Sequence, residues 1–140
     1  MKTKTITIIL FCIFIISAIL YKFDIPGSYY LLLISGSILS IIYLFLSKKI
    51  IEPKDSFDRQ WLLSISGIIW CLSFIAIIYN ISKFPGFGII SLIIILLVLI
   101  LIIFSLIVRN INNKESYKTY KRIIIQSVIF HFLIAVSFPY

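Results

Sequence analysis

His131 is the one histidine of this chain, and it lies within a long apolar stretch near the C-terminal end. Ser127 precedes it by one helical turn on the same face, and Gln126 is adjacent to that serine. An ionisable group inside a membrane span is a functional candidate by default. An imidazole, with an ordinary pKa near 6.5, can relay a proton, ligate a metal or orient a ligand. Each of those chemistries needs companions. A metal site needs further His, Cys or carboxylate ligands, and no such spacing occurs. A proton relay needs Asp or Glu in the spans, whereas all five carboxylates (Asp24, Glu52, Asp55, Asp58 and Glu115) fall between the apolar stretches. A Ser–His nucleophile needs an orienting acid and an oxyanion element, and neither accompanies Ser127 and His131. The chain carries no phosphate loop, dinucleotide fingerprint or HExxH motif. The simplest role for His131 is a hydrogen bond that fixes helix packing. The expected polar intramembrane patch is His131, Ser127, Gln126, Ser73 and Asn80, serving no enzyme chemistry and holding no cofactor or metal.

These residues must be positioned by apolar helices. Of 140 residues, 61% are hydrophobic, against about 45–50% in an ordinary soluble domain. Apolar stretches run over about 5–21, 29–47, 61–80, 87–108 and 123–138. Each falls within the roughly 17–25 residues that cross a bilayer as a helix, the first and fifth at its short end. The expected fold is an all-α integral membrane protein, a single transmembrane domain over 1–140 with five spanning helices. Lys2 and Lys4 resemble the basic region of a signal peptide, but Ser17-Ala18-Ile19-Leu20-Tyr21 offers no small-residue cleavage site, so the first stretch is read as a retained helix.

Charge sets the orientation. Lys2 and Lys4 precede the first stretch; Lys48, Lys49, Lys54 and Arg59 follow the second; Arg109, Lys114, Lys118, Lys121 and Arg122 follow the fourth. These are 11 of the 13 basic residues, and only Lys22 and Lys83 fall on the other side. Basic loops stay in the cytoplasm, which places the N-terminus inside and the C-terminus outside. The net charge of +8 is thus a juxtamembrane feature rather than a nucleic-acid footprint. The many Ile, Lys, Phe and Tyr residues have AT-rich codons, which points to a low-GC bacterium and its cytoplasmic membrane. Tyr21, Tyr29, Tyr30, Tyr79 and Tyr140 match an outer aromatic belt; Trp61, Tyr117 and Tyr120 match an inner one.

Small residues mark the packing faces. Gly36, Ser40, Tyr43 and Ser47 share one face of the second span, and Ser66, Trp70, Ser73 and Asn80 one face of the third. Ser64, Gly67 and Cys71 lie on a neighbouring stripe. Gly36, Ser40, Ser66 and Gly67 are the expected points of close helix approach. The third span is expected at the centre of the bundle, with Trp70 filling an internal gap. The second, third and fifth spans form the packed side, and the nearly pure Ile/Leu fourth span faces lipid. Cys12 and Cys71 read as small packed hydrophobes. Lys22-Phe23-Asp24-Ile25-Pro26-Gly27 and Lys83-Phe84-Pro85-Gly86 share residue types across an insertion, and read as ordinary tight turns rather than an internal repeat.

Two function classes fit this description. In the first, the chain is a small non-catalytic helper, an accessory subunit or an immunity-type protector, bound to the lipid bilayer and to a membrane-protein partner. In the second, it self-associates as a subunit of a small transporter or channel whose path is lined by the patch around His131. Neither involves nucleic acid.

Overall fold

The chain forms five α-helices: α1 (Thr3–Lys22), α2 (Ser28–Ile51), α3 (Gln60–Ile81), α4 (Phe87–Ile111) and α5 (Tyr117–Ser137). The structure, a computed structural model, describes residues 3–51, 60–83, 85–111 and 117–137. The expected features at Lys2, Lys54, Arg59, Lys114, Tyr140 and the carboxylates Glu52, Asp55, Asp58 and Glu115 lie outside the described residues. All five helices are long and apolar enough to cross a membrane. Ile is a mediocre helix former in water. In hydrocarbon, however, every backbone N–H and C=O must be paired within its own segment, and that requirement overrides propensity.

Two helices outrun their apolar stretches. α2 continues to Ile51, two residues before Pro53, and α5 begins at Tyr117 rather than near residue 123. Hydropathy marks the hydrocarbon core, and a helix need not stop at its edge. The first turns of α5 are amphipathic: Thr119 and Tyr120 are buried while Lys118, Lys121 and Arg122 are exposed. Tyr120 is therefore a packing residue rather than part of a lipid-facing belt, whereas Trp61 and Tyr117 remain exposed.

The described residues of the turns after α1 and α3 share their left-handed positions. Asp24 and Lys83 take left-handed φ values of 52° and 53°, and Gly27 and Gly86 follow at 86° and 82°. The Asp24 amide donates to the Tyr21 carbonyl at 3.0 Å, and the Lys83 amide donates to the Asn80 carbonyl at 3.2 Å. Asp24 thus stands opposite Lys83 with no insertion between the turns. In each, a Pro precedes a Gly that adopts a φ other residues resist, and the next helix starts immediately.

α3 is the hub. In its span 61% of residues are buried, against 39% in α2, 33% in α5, 28% in α4 and 17% in α1. The expected centre is found, but the most exposed helix is α1 rather than α4. α4 buries Ser91, Ile94, Val98, Leu101, Ser105 and Val108, and α5 buries Tyr120, Ile123, Ser127, Phe130, Ile134 and Ser137. Both sets step alternately by three and four, the seam of a left-handed helix pair. The inward face of α1 (Thr7, Leu10, Phe14, Ser17 and Tyr21) keeps the same spacing but is less fully buried, and packs chiefly on α2.

The α2–α3 contact is closest at the glycines. A Cβ at Gly67 would lie 2.5 Å from the Tyr43 carbonyl oxygen and 2.8 Å from Ser47 Oγ. One at Gly36 would meet Ile78 Cδ1 at 2.7 Å and Phe14 Cε2 at 2.9 Å. The first obstacle is backbone and cannot yield; the second consists of side-chain tips that can. Gly67→Ala should therefore destabilise the bundle by about 1–3 kcal/mol, the usual cost of overpacking, and Gly36→Ala by less. Gly88→Ala meets nothing within 4 Å and serves as the neutral control. Reversible unfolding in bicelles measures the order; equal losses at positions 36 and 67 would contradict this packing.

Candidate functional site

Apolar side chains gain little by leaving lipid for a protein interior, so polar contacts and shape must hold the helices together. α3 and α5 run parallel and are joined at two levels with a constant offset of 57 residues. At the first level, the Trp70 indole N–H donates to Ser127 Oγ at 3.2 Å, both side chains being fully buried. Ten residues on, about 15 Å along the axis, Asn80 Nδ2 donates to Ser137 Oγ at 2.9 Å. The Asn80 side-chain oxygen Oδ1 accepts from the Ser91 hydroxyl of α4 at 2.5 Å. Asn80 thus ties three helices together, and Ser137 passes its own proton to the Ile134 carbonyl at 2.7 Å.

Around Trp70 lies an aromatic centre drawn from four helices. Phe74 is its middle: ring centroids of Phe130, Phe14, Tyr43 and Phe11 lie 4.9, 5.3, 5.4 and 6.1 Å away. Tyr43 meets Trp70 edge-on at 5.7 Å, and Trp70 stacks on Phe130 at 6.2 Å. Such pairs contribute roughly 0.5–1.5 kcal/mol each beyond area burial. Sequence reading singled out Trp70 and Tyr43 but not the phenylalanines. Phe is common in any span, and only the spacings Trp70–Phe74 and Phe11–Phe14, one turn each, marked the cluster.

The five residues of the expected polar patch are not brought together at one point. Ser127 pairs with Trp70; Asn80 sits two to three turns further along with Ser91 and Ser137. Ser73 is fully buried but donates to the Ile69 carbonyl of its own helix at 2.8 Å, a local bond that spares it an interhelical partner. Gln126 turns the other way and donates through Nε2 to the Tyr43 hydroxyl of α2. His131 is half-buried, and its Nδ1 is buried with no hydrogen-bond partner. Of the expected packing residues, Ser66 is buried and donates to the Leu62 carbonyl at 2.7 Å, and Ser40 is buried beside the Cys71 thiol. Cys71 is half-buried, whereas Cys12 is exposed and lines a cleft. Among the described residues, no three His, Cys, Asp or Glu side chains come together.

If Asn80 and Ser137 hold α3 to α5 directly, Asn80→Leu and Ser137→Ala should be non-additive. A double-mutant cycle on unfolding should give a coupling of about 0.6 kcal/mol, within the ceiling of about 1.7 found for such bonds in lipid. Strict additivity would mean that the contact carries no energy. Comparison with family models, with curated proteins and with solved structures finds no match to this chain, so its function must be argued from the geometry itself.

Proposed function

We propose that the protein is a small non-catalytic helper of the bacterial cytoplasmic membrane, an accessory subunit or immunity-type protector that works by contact with another membrane protein. The observation behind this reading is that five polar side chains of the spans are committed to one another or to a neighbouring helix within the chain. Ser127, Asn80, Ser91, Ser137 and Gln126 all pair with side chains on neighbouring helices. Side chains used as pins would have to break those bonds to handle a substrate. The outward surface, by contrast, is broad and apolar, with Ile89, Phe45 and Phe132 each about two-thirds exposed or more. Such a surface offers lipid and a partner helix the same chemistry.

The second reading, a subunit of an oligomeric transporter or channel, is favoured by His131 alone. A buried ring nitrogen with no partner asks for an explanation, and a path completed by a second copy would supply one. Native mass spectrometry of the protein extracted gently from its host membrane separates the two readings. The helper reading expects a stoichiometric complex with a different polypeptide, and His131→Leu should leave that complex intact. A homo-oligomer whose transport is abolished by His131→Ala, with insertion unchanged, would replace it with the second reading. Orientation is tested separately: a reporter fused at Tyr140 should report from outside the cell, as the basic-residue asymmetry requires.

A further inference from the structure

α5 carries a face that the chain leaves only partly covered. Ile124, Val128, His131 and Ala135 follow i, i+4, i+7, i+11 spacing. The face of α2 that meets α3 at Gly36, Ser40, Tyr43 and Ser47 has the same spacing. The α2 face is buried, whereas Val128 and Ala135 are exposed and Ile124 and His131 are half-buried. His131 lies near the middle of the apolar stretch of its helix. Its Nδ1 is buried with no hydrogen-bond partner, and Nε2 bonds to no described residue. A neutral imidazole carries one donor and one acceptor. At that depth neither water nor a headgroup reaches the ring, so leaving it unpaired is costly.

We propose that this face is the contact between two parallel copies of the chain, with the His131 rings hydrogen-bonded to each other across the pair. Depth argues for a second copy over an unrelated helix. Copies of one chain insert the same way up, so the two-fold axis of a pair runs along the bilayer normal. Each residue at that axis then meets its own counterpart at its own depth. An unrelated helix supplies a partner only where its sequence happens to carry a polar group at this height. Chemistry agrees, because an imidazole is self-complementary. The Nε2–H of one ring donates to Nε2 of the other, whose proton sits on Nδ1. One bond serves both outward nitrogens and places no charge in hydrocarbon. Ala135, one turn further along, is small enough to let the two α5 backbones approach, and His is among the side chains that join helices in lipid. The inference goes beyond the helper reading and does not rest on it, because the dimer leaves the other helices free to meet a different protein. It also gives the ring a partner without a transport path.

The test measures self-association of the purified full chain in liposomes, by energy transfer between copies labelled at the N-terminus as lipid is added. Wild type should dimerise. His131→Leu should weaken the dimer by about three- to tenfold, the loss of one interhelical bond in lipid. His131→Asn, whose amide also pairs with itself, should restore most of the association. A merely space-filling role would give the reverse order, since Leu packs in lipid better than Asn. Cross-linking reads the face independently and keeps His131 in place. With Cys12 and Cys71 replaced by Ala, Ala135→Cys should form a disulfide between copies on oxidation. With Cys12 alone retained, on the exposed side of α1, none should form. A monomer at every lipid ratio, a dimer indifferent to His131→Leu, or cross-linking through Cys12 in place of position 135 would overturn the proposal. A monomer that still binds a different polypeptide in the host membrane overturns this inference and leaves the helper reading standing. A dimer with no such complex does the reverse.

Discussion

An indole N–H buried in hydrocarbon has no water to pair with, and leaving it unpaired costs free energy that a nearby acceptor recovers. Trp70 is wholly buried at the centre of α3, and Ser127 of α5 is its acceptor. That requirement fixes α5 beside α3, in parallel and in one register, and the Asn80–Ser137 bond at the same offset keeps the register over the rest of the span. With α5 fixed, Phe130 stacks on Trp70 and delivers its edge to Phe74, and Tyr43 of α2 closes the other side. The aromatic centre is thus assembled around a hydrogen bond rather than by expulsion from water.

Much of this architecture is legible in the sequence, because the bilayer imposes rules that composition obeys. Spans, their number and the central place of α3 follow from length, hydropathy and small polar residues. Gly36 and Gly67 were recognisable as points of close approach from their neighbours on the same face, and the Tyr43 carbonyl does lie where a Cβ at position 67 would sit. What sequence could not give is partnership. Ser73, Ser127 and Asn80 look alike as polar residues in apolar helices, but one bonds its own backbone and the others join different helices. The distinction is one of angle around the helix axis, and it is set by the partner.

The fourth helix shows the opposite failure. In a span of nearly unbroken Ile and Leu, a buried seam and a lipid face are built from the same side chains, so composition does not tell them apart. The seam exists all the same. Ser91 and Ser105, both fully buried, are two heptads apart and lie on it. In lipid, a small hydroxyl residue reports a helix interface more surely than a large apolar one does, and these two serines, read by spacing rather than as rare exceptions, identify the buried face.

The exposure of α1 follows from the same economy of contacts. Polar pins join α3 to α4 and α5, and α5 to α2, and the glycine approaches join α2 to α3 and admit Phe14 of α1. The Ser17 hydroxyl of α1 is turned back onto the Ile13 carbonyl at 2.7 Å. What remains for α1 is the flat contact with α2 and the reach of Phe11 and Phe14 into the aromatic centre. The Phe11–Phe130 contact holds α1 against α5 at mid-span, and the seam opens on either side of it.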